Sequence, residues 1–358
     1  MKDNFFVSVG EVSGDLHLSY LVENILSIDP ESTFMGVVGE KSIKAGVKPL
    51  DTIDSIAVMG FIEAVKKYKY LKNKSQEYID IIKKEKINKI ILVDYGGFNL
   101  RFLELIKKEA PKVEVFYYIP PKVWIWGEKR VEKLRLADHI VVIFPWEVEF
   151  YKKHDIKAVY FGNPLSEKYL KVEREENNIL LLPGSRKQEV EKMIPTMLEV
   201  VKQMPQTSFL LKLARNEDQN WIKEDLSLYS NLKLETESSL SELVKKSEIA
   251  IATSGTVTLE LALLGILTIV VYKSSALNVF IARHILKVGY ISLPNLTLNK
   301  EVFPELIQEQ YTAESIKENI ENLRENKKTV ELDIREVRSK LSGNDILKNY
   351  SKYFLKGN

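Results

Sequence analysis

The sequence predicts an α/β protein built from two doubly wound, Rossmann-like domains facing a cleft, with helices at its C-terminal end. Short apolar runs alternate with helical patterns along almost the whole chain. The rhythm breaks once, near residues 162–178, and then restarts. Turns of small residues follow several apolar runs directly. Fully apolar strands alternating with helices indicate a parallel sheet covered on both faces, and at roughly 150 residues per domain the 358 residues suffice for two.

The first strand is Phe5-Phe6-Val7-Ser8-Val9, followed by a glycine-containing turn and a helix from about Leu16. Further strands are expected at 33–38, 89–93, 113–119 and 139–144, with a long helical stretch over 61–86. Gly162-Asn163-Pro164 closes this half, giving an N-terminal domain over 1–165. The charged run that follows has few large apolar residues, so 166–178 is read as a linker. The second domain, 179–330, opens on Ile179-Leu180-Leu181-Leu182, with strands expected at 208–213, 249–253 and 267–272. Helical, charged stretches at 312–324, 330–341 and 345–354 follow. Residues 331–358 are expected to pack back on the N-terminal domain.

Hydrophobic residues make up 45% and charged residues 28%, a globular composition that excludes a disordered or collagenous chain. Lys plus Arg is 52 against 50 for Asp plus Glu, a net charge of +2 that demands no nucleic acid. There is no cysteine, which excludes disulfides, thiolate zinc sites and a cysteine nucleophile. The four histidines are not spaced as a metal pair, and no Asp-x-Asp occurs, so no metal is expected. The N-terminus lacks a signal-peptide shape. The longest apolar stretch, 261–272, is too short to span a bilayer. The expectation is a cytoplasmic protein that can still lie on a membrane.

Ligands of doubly wound folds bind at the carboxyl ends of the strands, and the informative motifs stand there. Gly10-Glu11-Val12-Ser13-Gly14-Asp15 follows the first strand. It is neither Gly-x-Gly-x-x-Gly nor a lysine-bearing phosphate loop. Two readings stand: a ligand-approaching turn with Glu11 facing the cleft and Ser13 and Gly14 in its wall, or a plain tight turn in which Ser13 or Asp15 caps the helix. Asp94 ends the apolar run 89–93 and precedes Gly96-Gly97. A carboxylate there is partly desolvated and can serve as a general base; the alternative is a helix cap, a task open to Gly97 or Asn99 as well. Trp124 and Trp126 precede the basic stretch through Arg130 to Arg135, and Trp146 follows Pro145. Aromatic residues beside cations suit an anionic membrane interface, or else an aromatic core under a solvated helix.

In the second half, Leu182-Pro183-Gly184-Ser185-Arg186 ends a strand with small residues and a cation suited to an anion. Ala252-Thr253-Ser254-Gly255-Thr256-Val257-Thr258-Leu259-Glu260 is a strand, a small-residue turn and a helix start. Free N–H groups at a helix N-terminus bind phosphates, and Glu260 shares a face with Thr256, positioned to accept from a ribose diol. The alternative is an ordinary N-cap with an exposed glutamate.

Taken together these motifs are similar to those of the lipid-A-disaccharide synthase family, and the resemblance covers nearly the whole chain. It rests on the Gly10 to Asp15 turn, Val58-Met59-Gly60-Phe61-Ile62-Glu63, Asp94 with Phe98-Asn99, and Val123-Trp124-Ile125-Trp126 with Arg130. It continues through Phe144-Pro145-Trp146-Glu147, Gly162-Asn163-Pro164-Leu165, and Leu182 to Arg186 with Glu189-Val190. Ser254-Gly255-Thr256 with Glu260 and Ser292-Leu293-Pro294-Asn295-Leu296 complete it. The chain departs from the family pattern at Gly97, where a second Asp is usual, at Pro121, and at Asn163, where His is common.

The resemblance implies the GT-B fold and an inverting glycosyltransferase. It implies transfer of 2,3-diacylglucosamine from UDP-2,3-diacylglucosamine to the 6-hydroxyl of 2,3-diacylglucosamine 1-phosphate, without a cofactor, at the cytoplasmic face of the inner membrane. Asp94 is then the expected base, with Glu11 in reserve. UDP is expected on Ser185, Arg186, Gly255, Thr256, Val257, Glu260 and Asn295. Trp124, Trp126 and Arg130, with 280–287, are expected to face lipid. The competing expectations are another GT-B enzyme, such as a peptidoglycan-lipid transferase or UDP-sugar epimerase, and a non-catalytic nucleotide- or lipid-binding module.

Overall fold

A computed structural model of the chain describes residues 3–56, 63–123, 130–273 and 289–357. It divides into two compact units, Met1–Glu167 with Ser342–Asn358, and Lys168–Leu341.

The first unit is built on a seven-stranded sheet, parallel throughout. Its strands are β1 (Asn4–Val9), β2 (Thr33–Val38), β3 (Lys48–Thr52), β4 (Lys89–Val93), β5 (Glu114–Tyr118), β6 (His139–Val141) and β7 (Ala158–Val159). Their order is β3-β2-β1-β4-β5-β6-β7, so the winding reverses between β1 and β4. Every residue of β4 is buried, because helices cover both faces. The helix Gly96–Glu109 presses Phe98 and Phe102 onto Phe6 and Tyr78; Phe6 and Phe102 lie 5.7 Å apart between ring centroids.

The second unit repeats the plan with six parallel strands: β8 (Asn178–Leu182), β9 (Phe209–Lys212), β10 (Leu232–Glu235), β11 (Ser247–Thr253), β12 (Leu267–Tyr272) and β13 (Glu305–Ile307). The order is β10-β9-β8-β11-β12-β13, with the reversal between β8 and β11. The helix Thr256–Leu264 buries most of its length, matching its nearly unbroken apolar sequence.

The strands missing from the sequence expectation are β3, β7, β10 and β13, which are the four outer strands of the two sheets. Outer strands are short and keep charges or proline that blunt their open edge. Lys48-Pro49-Leu50-Asp51-Thr52 and Leu232-Lys233-Leu234-Glu235 therefore lack the apolar run that marks a central strand. The first helix runs Val12–Ile28, beginning before Leu16.

The expected linker and tail are placed differently from the sequence reading. Much of the stretch 168–178 packs on the second unit: Val172 N–H donates to the Leu264 carbonyl (3.1 Å) and Glu175 N–H to that of Lys245 (2.7 Å). The tail crosses at Ser342 rather than 331. Helix Lys327–Leu341 stays with the second unit because Ile334, Val337 and Leu341 are buried there and Arg338 donates to the Tyr169 and Leu263 carbonyls. Only the helix Ile346–Lys356 joins the first unit. Glu167 accepts the Ile346 and Leu347 N–H groups at its start, Tyr350 hydrogen-bonds the Val142 and Gly162 carbonyls, and Lys89 caps its end at Phe354 and Leu355. Among the described residues no helix is long and apolar enough to cross a membrane.

Candidate functional site

Both winding reversals carry the sequence motifs. Register pairs Val9 with Val93 and Ala252 with Leu182. The Gly10 turn and Asp94 thus leave the first sheet side by side, and the Gly184 and Gly255 turns leave the second the same way. Such reversals open a crevice at the strand ends, where doubly wound folds take ligands.

At the first reversal the glycines serve packing. A Cβ on Gly10 would stand 2.2 Å from Cγ of Tyr95, and one on Gly14 would stand 2.7 Å from a methyl of Val9. Asp15 does not cap its own helix. Its buried carboxylate accepts N–H groups of Gly39 (2.9 Å), Lys41 (3.0 Å) and Ser42 (3.3 Å), anchoring the short helix Glu40–Lys44. Glu11 is the half-buried N-cap residue of Val12–Ile28, and its charge, after burial, raises the pKa of Tyr95. Ser13 is half-buried in the first turn and Gly14 is buried.

Asp94 is half-buried and left-handed (φ 45°), as is Tyr95 (φ 48°). Consecutive left-handed non-glycine residues are strained. The surrounding bonds hold Asp94 there: its N–H donates to the Ile119 carbonyl (3.0 Å), and its carbonyl accepts from Tyr117 Oη (2.9 Å) and Asn99 Nδ2 (3.1 Å). Asn99 is fully buried and also donates to the Ser8 and Val93 carbonyls while accepting from Ser8 Oγ (2.7 Å). It ties β1 to β4 and does not cap the helix; Tyr95 holds the cap position. Neither Asn99 nor Tyr117 was singled out for this role by spacing, because both bonds depend on which strands lie side by side.

At the second reversal the two turns differ. Glu189 folds back over the start of the helix Lys187–Gln203, accepting Ser185 N–H (3.0 Å) and Arg186 N–H (3.3 Å). An internal carboxylate therefore occupies those amides, and what Ser185-Arg186 offers an anion is the exposed Arg186 side chain, 3.3 Å from Glu189. Among the described residues, no side chain caps the start of the helix Thr256–Leu264, its first turn has no acidic residue, and a Cβ on Gly255 would meet open space. Thr256, Val257 and Glu260 are half-buried around it. Ser254 Oγ donates to the Ile291 carbonyl (3.1 Å).

Asn295, one of the residues on which UDP is expected, has its amide engaged within the second unit. It is fully buried and donates to the Phe303 carbonyl (2.8 Å) and to Glu305 (2.8 Å), and accepts from Val302 and Phe303 N–H (both 2.9 Å). Glu305 also accepts Ile291 and Ser292 N–H (both 2.9 Å). Asn295 is a joint that supports the wall beside Ser254. Glu305 lies on a three-residue strand, too short to leave a periodic signal in the sequence.

Trp124, Trp126, residues 58–62 and 280–287 lie outside the described residues. Arg130 is half-buried at the start of the turn Val131–Leu134, whose Val131 and Leu134 are core. Lys133 pairs with Glu104 and Arg135 with Glu132, so this turn has the character of a paired surface over core. Trp146 stacks on Phe144 with centroids 4.4 Å apart. Asn163 is buried, bonded to the Ile143 carbonyl and Leu165 N–H.

The fold is shared with glycosyltransferases and epimerases. A glycotransferase of kitacinnamycin superposes with a TM-score of 0.69 at 11% identity, covering 99% of this chain and 98% of that one. UDP-GlcNAc 2-epimerase from Neisseria meningitidis, bound to UDP-GlcNAc, gives a TM-score of 0.61 at 13% identity, covering 99% of each. The two wound units thus define the GT-B class. The family model for lipid-A-disaccharide synthetase matches residues 5–355. Lipid-A-disaccharide synthase of Trichlorobacter lovleyi is 32% identical over 327 residues, 87% of this chain and 85% of the relative. The chain belongs to the lipid-A-disaccharide synthetase family, glycosyltransferases of lipid A biosynthesis.

Proposed function

We propose that the protein transfers 2,3-diacylglucosamine from UDP to the 6-hydroxyl of 2,3-diacylglucosamine 1-phosphate with inversion, releasing UDP. Family membership supports the substrate pair. The observation that carries the chemistry is Asp94, a half-buried carboxylate at the first winding reversal whose backbone is bonded on both sides. A single in-line displacement at the anomeric carbon needs one base. Asp94 takes the proton from the attacking hydroxyl, with Glu11 as the neighbouring carboxylate. The departing diphosphate lies on the uncapped start of Thr256–Leu264, where the N–H groups of Thr256 and Val257 and the helix dipole stabilise developing charge. Arg186 adds a cation from the adjoining turn, and Glu260 accepts from the ribose.

Both substrates are acylated, so the protein works as a peripheral protein on the inner face of the inner membrane. Trp124, Trp126 and Arg130 belong to its contact with lipid, and binding to anionic vesicles should fall as salt rises.

UDP release from the two acylated sugars tests the reading. Asp94→Asn should lower turnover by about 10²–10⁴-fold while keeping UDP affinity. Arg186→Ala should weaken UDP binding by about 1.5–3 kcal/mol in calorimetry. Wild-type turnover by Asp94→Asn together with loss in Glu11→Gln would move the base to Glu11. Loss of turnover in EDTA would refute the metal-free account.

A further inference from the structure

We propose that Tyr117 is a positioning residue for catalysis: its hydroxyl, bonded to the Asp94 carbonyl, sets the direction in which the Asp94 carboxylate points. This rests on the assignment of Asp94 as base.

Asp94 sits where the chain leaves β4 and turns into the helix Gly96–Glu109, with two consecutive left-handed residues making the turn. Such a backbone persists only when its neighbours over-determine it. Three bonds do so. Two involve β5 and the residue after it, Tyr117 Oη donating to the Asp94 carbonyl and the Asp94 N–H donating to the Ile119 carbonyl; the third is Asn99 Nδ2 donating to the Asp94 carbonyl. Ile119 itself is left-handed (φ 53°), so the end of β5 is shaped to meet Asp94. With its φ set and both peptide groups anchored, the Asp94 Cβ direction is fixed.

Of the three, only the Tyr117 bond can be removed by deleting one atom. Asn99 also ties Ser8 and Val93, and the Ile119 bond is main chain. Tyr117 is fully buried in the middle of the sheet, where its ring is core whether or not it carries a hydroxyl. Burial, with Asp94 and Tyr151 adding to it, pushes the phenol well above its usual pKa, so it remains a donor at every working pH. Without it the Asp94 carbonyl loses a donor that serves it alone, while the Asn99 amide that also reaches it is shared among three carbonyls. The 94–95 peptide can then turn toward an ordinary conformation, and the carboxylate swings with it.

Misplacing a catalytic group by about 1 Å costs up to about 10²-fold. Tyr117→Phe is therefore expected to lower kcat by about 10-fold or more. KM for the UDP-sugar and UDP affinity should stay within about two-fold, because the proposed donor groups lie on the other unit's sheet. The decisive measurement is a double-substitution cycle with Asp94→Asn, using UDP release sensitive enough for the residual rate. A residue that acts through Asp94 has its effect erased in the Asp94→Asn background, whereas one that merely stiffens the sheet lowers both rates alike. Loss of kcat in Tyr117→Phe that vanishes in the double variant supports the inference. Unchanged kcat in Tyr117→Phe, or an equal loss in both backgrounds, overturns it while leaving an inactive Asp94→Asn to uphold the base. Wild-type turnover in Asp94→Asn instead overturns the base assignment and this inference with it.

Discussion

Replacing Asn295 by Ala tests whether this residue serves the fold or the donor. Its amide makes four hydrogen bonds within the second unit, to the Phe303 carbonyl, Glu305, Val302 N–H and Phe303 N–H. Residues 302 and 303 are buried, so water does not replace the lost partner. Three neutral bonds at about 1 kcal/mol each and one to a carboxylate at about 2 kcal/mol suggest a loss of about 4–5 kcal/mol. That is a large share of the roughly 5–15 kcal/mol that stabilises a typical domain. The second unit should therefore unfold at markedly lower urea concentration. Hydrogen exchange read by mass spectrometry should accelerate in peptides spanning 290–307, where Glu305 loses an anchor, before it does so in the first unit. UDP titration of the protein that remains folded should give an affinity close to wild type. Unchanged urea unfolding together with a tenfold or greater loss of UDP affinity would refute the structural role and restore Asn295 as a ligand contact.

Other outcomes follow from the same geometry. Burial of His17 lowers its pKa from 6.5 to about 4, and its Nδ1 meets no hydrogen-bond partner among the described residues, so the unfolded chain binds its proton more tightly than the folded one. Stability that is present above pH ~6.5 should then fall by about 3 kcal/mol as pH drops toward 4; His17→Leu should flatten that slope in acid titrations of urea unfolding, and an unaltered slope would count against it. Asp15→Ala removes the acceptor for the N–H groups of Gly39, Lys41 and Ser42 at the start of the Glu40–Lys44 helix. It should cost about 2 kcal/mol in thermal unfolding, with turnover per folded molecule unchanged; loss of turnover at full stability would make Asp15 a site residue. Gly10→Ala drives a methyl to 2.2 Å from the Tyr95 ring, displacing the residue beside Asp94. UDP release should fall at least about 10-fold while UDP affinity holds, and near-wild-type turnover would show that the ring moves without Asp94.

The sequence alone determined the two-sheet plan, because a strand buried on both faces must be apolar along its length and such runs are visible one residue at a time. It also located the strand-end turns that carry the candidate site, since small residues directly after an apolar run mark where a strand ends and a helix begins. Asp94, Gly255 and Arg186 were legible for that reason. Tertiary structure decided what the turn residues do. Asp15 caps a helix 24 or more residues away, Asn295 is consumed by residues 302–305, and Glu189 fills the amides of Ser185 and Arg186. Strand order placed Tyr117 beside Asp94, 23 residues earlier in the chain. The four outer strands also emerged only in the fold, because a strand at an open edge is held by pairing on one side and keeps the charges that hide it. Periodicity is a local signal, whereas a hydrogen bond between distant residues exists only once the winding order has set which strands are neighbours.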